Sequence, residues 1–189
     1  MSTTKVDFSV PGHRSPGVGY EAPFEMLEAC HERVTRMLDL LARARDYGKE
    51  NGCDESFINA LNDVMRYFDH AAPQHHLDEE RHVFPIVLAM NDAGLTEAVA
   101  RLQSDHKRME VLWAAIRAMF VQAEKLRPVQ PVFSSEENVL IDEFISIYGQ
   151  HISAEEGKVY PAGISQISAS ALTEMAADMM QRRGVKSAA

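Results

Sequence analysis

Apolar residues recur along the chain at intervals of three, four and seven positions, and no stretch alternates for long with a period of two. That pattern predicts an all-α protein with four long amphipathic helices. The first, about 23 to 47, puts Phe24, Leu27, His31, Leu38 and Ala42 on one stripe, and the Gly48 to Gly52 stretch ends it. The second, about 54 to 90, aligns Leu61, Phe68, His75, Glu79 and Ile86 and is expected to kink at Pro73 and Pro85. After the turn Asn91-Asp92-Ala93-Gly94, a third helix, about 95 to 126, aligns Val99, Leu102, His106, Trp113 and Phe120. Pro128 and Pro131 then interrupt the pattern. The fourth helix starts at a cap on Ser134 or Ser135, carries Glu136 and Glu137 in its first turn, and stacks Phe144, Ile147, His151, Glu155 and Ala162. A short fifth, about 170 to 183, stops at Gly184. Short connections between long helices imply an antiparallel up-down-up-down four-helix bundle. Residues 1–21 are expected to form an N-terminal arm, 22–167 the bundle, and 168–189 a short C-terminal helix and tail.

The second and fourth helices carry the same message. His75-His76-Leu77-Asp78-Glu79-Glu80-Arg81-His82-Val83-Phe84-Pro85 returns 76 positions later as His151-Ile152-Ser153-Ala154-Glu155-Glu156-Gly157-Lys158-Val159-Tyr160-Pro161. Upstream, Cys30-His31-Glu32-Arg33-Val34 becomes Asp105-His106-Lys107-Arg108-Met109 after 75 positions. One half-site is written twice.

A histidine and a glutamate four residues apart lie about 40° apart around a helix, so His75 with Glu79, and His151 with Glu155, each aim an imidazole and a carboxylate at one point. Phe68 and Phe144, each seven positions before the histidine, mark the same stripe as apolar. His31 and His106 sit between apolar neighbours on the other two helices, so every bundle helix offers one inward histidine. Any one of them alone reads as a hydrogen-bonded core residue. Six such groups on matched faces in two copies would cost several kcal/mol of desolvation without partners, whereas a pair of divalent cations uses them all. A six-coordinate pair needs about twelve donor positions. Four histidines, two bridging carboxylates and a bridging oxo or hydroxo group fill about ten, leaving about two for an exogenous ligand. Mixed imidazole and carboxylate ligation favours iron over manganese or zinc.

Neighbouring residues divide by helical phase. Glu110, four positions after His106 on the inward face, is a candidate additional ligand or a capped polar residue. His82, seven after His75, is a second candidate or a polar residue near the bundle end. Glu80 and Glu156 lie about 140° from the ligand-type histidines and are expected to face solvent or to support the site from outside. His76 points about 100° away. His13 and His70 are expected at the surface, and Met175, Met179 and Met180 as packing for the fifth helix.

With 46% hydrophobic and 25% charged residues in 189, the chain suits one globular domain. A net charge of −9 argues against nucleic acid or an anionic membrane as partner. The first residues carry no apolar core of a leader, and no stretch suits a bilayer span, so a cytoplasmic location is expected. Cys30 and Cys53 make no disulfide framework and are expected as reduced structural thiols.

The order of a lone His, His-x3-Glu with a following Glu and an aromatic-Pro, a lone third-helix His, and a second His-x3-Glu covers about residues 22 to 165 and resembles the hemerythrin-like, or HHE, cation-binding domains. Spacings of 44, 31 and 45 between the histidines are most similar to the di-iron domain of bacterial proteins that repair iron–sulfur centres under nitrosative stress. The resemblance implies a non-haem di-iron centre with His31, His75, Glu79, His106, His151 and Glu155 as ligands. It further implies binding of, or reaction with, oxygen, nitric oxide or peroxide, with an electron donor as a candidate partner. Oxygen-carrying hemerythrins have His-x3-His on the third helix, whereas this chain has His106 followed by Glu110. That departure points away from simple reversible oxygen carriage. A di-iron redox enzyme (oxidase, peroxidase or nitric oxide reductase) and an iron or oxygen sensor stand as alternatives.

Overall fold

A computed structural model describes residues 19–127 and 132–185, so the expected N-terminal arm lies almost wholly outside the described residues. Helix α1 spans Pro23–Asn51 and α2 Glu55–Asp78; a π-helical turn, Glu79–Val83, joins α2 to the short α3, Phe84–Leu88. Helix α4 spans Ala93–Leu126 and α5 Ser135–Ala154; a second π turn, Glu155–Val159, leads into α6, Tyr160–Gln166, and α7 closes the chain at Ala169–Arg182. Among the described residues there is no strand, and no helix is long and apolar enough to cross a membrane.

Local chemistry sets the ends. Asp54 accepts the Phe57 amide at 2.9 Å and Asp92 the Leu95 amide at 2.8 Å, so each satisfies an otherwise orphaned first-turn donor. Ser134 and Glu137 form a reciprocal capping box, which fixes the start of α5 at the expected serine. Gly52 ends α1 at φ 74°, a left-handed value that glycine adopts without a Cβ clash.

Four long helices surround two apolar clusters with a polar layer between them. Along α1 the order is Phe24 and Leu27, then His31, then Val34, Leu38 and Leu41; along α2 it is reversed, from Leu61 and Phe68 through His75 and Glu79 to Val83 and Val87. Helix α4 again runs from the smaller cluster (Val99, Leu102) through His106 to the larger (Met109, Ile116, Phe120), and α5 runs back from Phe144 through His151 and Glu155 to Val159 and Tyr160. This alternation is the up-down-up-down bundle. It lifts all six ligand-type residues to one level.

The π turns were not visible in the pattern of the sequence. In each, a backbone amide reaches five residues back: Phe84 to the Glu79 carbonyl, Tyr160 to the Glu155 carbonyl. Pro85 and Pro161 explain the site, since a proline ring presses on the carbonyl four residues earlier and has no N–H to give it; widening the preceding turn relieves both problems. One extra residue per turn moves the inward stripe by one position. Val83, Phe84 and Val87 are buried where the regular spacing placed His82 and Ile86, and Gly163 is buried in place of Ala162. Smaller phase differences leave Ala42, Trp113 and Ile147 half-buried beside the buried Leu41, Leu112 and Tyr148. Across Pro73, α2 continues unbroken.

Helix α7 folds back on the smaller cluster, with Met175 and Met179 fully buried and Met180 half-buried, as packing residues. It also anchors through charge. Arg182 and Arg183 both pair with Asp78, which is fully buried at the end of α2.

Candidate metal centre

His31, His75, Glu79, His106, His151 and Glu155 are all buried and converge from four helices. Their inward atoms form two overlapping groups, His31, His75, Glu79 and Glu155 on one side, and Glu79, His106, His151 and Glu155 on the other, each with its atoms within 4.8 Å of one another. Within helices, His75 Nε2 lies 3.2 Å from Glu79 Oε1 and His151 Nε2 lies 3.1 Å from Glu155 Oε1. Across the bundle, His31 Nε2 lies 3.2 Å from Glu155 Oε2 and His106 Nε2 3.3 Å from Glu79 Oε2. Each glutamate therefore faces both groups with its two oxygens.

A set of outer carboxylates turns the rings. Glu156 Oε1 stands 2.9 Å from His31 Nδ1, and Glu80 Oε1 3.0 Å from His106 Nδ1, with Glu80 itself held by Gln103 at 2.8 Å. Asp105 Oδ2 lies 3.5 Å from His151 Nδ1. An Nδ1–H directed at a carboxylate leaves Nε2 as the free lone pair pointing inward, the form a cation requires. Glu80 and Glu156 thus support the site from outside. Asp105 was missed, although its place immediately before a ligand-type histidine was a usable signal.

Electrostatics point the same way. Burial, reinforced by the charge of Glu79 beside it, holds the Glu155 carboxyl well above its usual range. Burial pushes His75 down to about 3 and also lowers His151, so both rings are neutral. His31 is raised despite its burial, through the close approach of Glu155 and the charges of Glu155 and Glu79. Both Glu155 oxygens and Glu79 Oε2 are buried with no hydrogen-bond partner among the described residues. Two carboxylates and four imidazoles packed together with orphaned acceptors fit a cation pair, which would pair every one of these atoms.

Other expectations changed. Glu110 is exposed, because beyond His106 the buried seam of α4 continues through Met109 and Leu112 and leaves Glu110 on the outer side. His82, displaced by the π turn, binds Asp178 of α7 at 2.8 Å instead of approaching the centre. His76 is buried, its ring stacked on His106 with centroids 4.1 Å apart. A helix with two neighbours buries a broad arc, so a residue about 100° from the seam still packs against the next helix. Tyr160, recognised in the sequence only as a repeated aromatic, brings a hydroxyl that donates to Glu79 Oε1 and lies 3.2 Å from His31 Nε2. Cys30 is buried and Cys53 half-buried, both free thiols. His70 is exposed, as expected; His13 lies outside the described residues.

The chain belongs to the hemerythrin HHE cation-binding domain family, whose model matches residues 22–162. It is also 34% identical over 167 residues to an uncharacterised protein of Haemophilus influenzae, an alignment that covers 88% of this chain and 93% of the relative. Fold and site together define a helical-bundle protein suited to binding metal.

Proposed function

We propose that His31, His75, His106 and His151 hold two iron ions, one pair of histidines on each, and that Glu79 and Glu155 are shared between them with a bridging oxo or hydroxo group. The observation that carries this is the overlap of two four-residue donor groups through the same two carboxylates. Iron is favoured over manganese or zinc by the mixture of imidazole and carboxylate donors, with no thiolate among them. Such a centre supplies redox-active positions at which oxygen, nitric oxide or peroxide binds. The chain's own part is to hold neutral imidazoles with Nε2 inward, to share two carboxylates, and to exclude bulk water behind two apolar clusters.

A single histidine on α4, with Glu110 exposed, supports reaction with these ligands in iron or nitrosative-stress handling over reversible oxygen storage. The likeness to the di-iron domain of iron–sulfur repair proteins supports the same reading, in the cytoplasm and with an external electron donor. Elemental analysis after iron-replete expression, with absorption spectra of the reduced protein before and after oxygen and nitric oxide, tests it. About two iron ions per chain and rapid nitric oxide uptake are expected. A protein that holds only zinc, or takes up no iron, overturns it.

A further inference from the structure

The two donor groups differ in one aromatic residue. Tyr160 stacks on His31 with ring centroids 5.4 Å apart at 11°, and Phe84, its counterpart in the repeat, stacks on His106 with centroids 5.7 Å apart at 18°. The rings are placed alike, and one alone carries a hydroxyl. We infer that the Tyr160 hydroxyl is a fifth protein donor at the position held by His31 and His75, which leaves the His106 and His151 position as the one with room for an exogenous ligand. The inference rests on the di-iron reading of the same six residues.

Spacing supports it. Adjacent donors around a six-coordinate ion with bonds of about 2.1 Å lie about 3 Å apart. The Tyr160 hydroxyl lies 3.2 Å from His31 Nε2, the same separation as His31 Nε2 to Glu155 Oε2 and His75 Nε2 to Glu79 Oε1. The hydroxyl is also fixed there. Tyr160 is fully buried, clasped by the His31 stack and by an edge contact with Phe24 at 5.9 Å, so it cannot swing away without opening the smaller cluster. A hydrogen bond alone would occupy Glu79 Oε1, an oxygen that a cation at this position also needs. Coordination resolves the conflict: the O–H bond breaks, its proton leaves to solvent, and an oxygen lone pair forms the bond to the cation. Trivalent ions bring more positive charge than two carboxylates offset, and a phenolate reduces the excess.

The test uses the full chain loaded anaerobically with an iron(II) salt and then oxidised with ferricyanide, which takes one electron from each iron. The oxidised protein is expected to show a visible phenolate-to-iron charge-transfer band and, on excitation in that band, resonance-enhanced tyrosinate ring vibrations. Tyr160→Phe should abolish both while iron stays at about two per chain. In the Tyr160→Phe background, Phe84→Tyr should restore a band, and with Tyr160 in place Phe84→Tyr alone should weaken azide binding at least tenfold by filling the open position. The unaltered protein is informative by itself, so the outcome does not depend on any variant folding. Two iron ions with no tyrosinate signal, or a signal that survives Tyr160→Phe, overturn the inference and leave the di-iron reading standing. Failure to hold iron overturns both.

Discussion

Set side by side, the two halves of the centre agree closely in their inner atoms and diverge in what surrounds them. The histidine–glutamate separations within helices are 3.2 and 3.1 Å, those across the bundle 3.3 and 3.2 Å, and the outer glutamates stand 3.0 and 2.9 Å from their rings. Around this frame the copies have parted. Asp105 supports His151, whereas Cys30 occupies the matching place and His75 Nδ1 has no partner among the described residues. Buried Asp78, tied to two arginines of α7, corresponds to Ala154, and His76 corresponds to Ile152. Inner donors answer to a shared demand and cannot move singly; residues one contact further out can change one at a time, and there the halves have become chemically unlike.

The comparison breaks most completely at the shared carboxylates. Glu79→Ala or Glu155→Ala should empty both positions, from about two ions per chain to almost none. Glu80→Ala or Glu156→Ala should lower affinity about 10–100-fold and still allow loading, as read by metal content after dialysis against a graded chelator. If the Glu80 and Glu156 variants lose metal first, the assignment of inner and outer carboxylates is wrong.

Acid separates the histidines. In the folded, metal-free chain burial keeps His75 neutral down to about 3, while the unfolded chain takes up that proton near 6.5. Between those values the unfolded state binds more protons, so stability is full above about 6.5 and falls as pH drops towards 3. His31, raised through Glu155, opposes this, and the lowered His76 and His151 reinforce it. Thermal melts of metal-free protein should therefore fall steadily over that range, and a flat profile would contradict the assigned burial.

Removing one arginine tests the half that α7 covers. Arg182→Ala leaves Asp78 buried with Arg183 as its remaining partner, and should cost about 3 kcal/mol. The corresponding fall in Tm is about 6–12 °C for a chain of this size. An unchanged Tm would mean that the cluster contributes nothing to docking α7. Smaller effects lie on the other half. Asp105→Asn should weaken one of the two metal positions about 10-fold, seen as a biphasic chelator titration. Glu110→Ala should change neither metal content nor, beyond about 0.5 kcal/mol, stability.

The convergence of the candidate site was legible in the residues. His31, His75, Glu79, His106, His151 and Glu155 declared themselves by phase and repetition, because a buried polar group on an apolar stripe is costly without a purpose. What stayed hidden depended on backbone detail or on distant pairing. A π turn cannot be read from periodicity, so His82 was placed one residue out of phase and Ile86 with it. Glu110 was judged by its spacing from His106 alone, although the seam of α4 follows Met109 and Leu112. Asp78 gave no sign of burial, since its arginine partners come from another helix. The value of the Tyr160 hydroxyl emerged only when its ring was seen lying on His31.

The tie between Asp78 and Arg182 also sets an order in time. The two residues are separated by 104 positions, which a ribosome crosses in about 5–20 s at about 5–20 residues per second. Throughout that interval the first helix pair exists with an acidic side chain destined for the interior and no cation to meet it. His151 and Glu155 arrive late as well. The first half of the candidate site is therefore made early, and its buried acid meets its cations only once α7 has been synthesised.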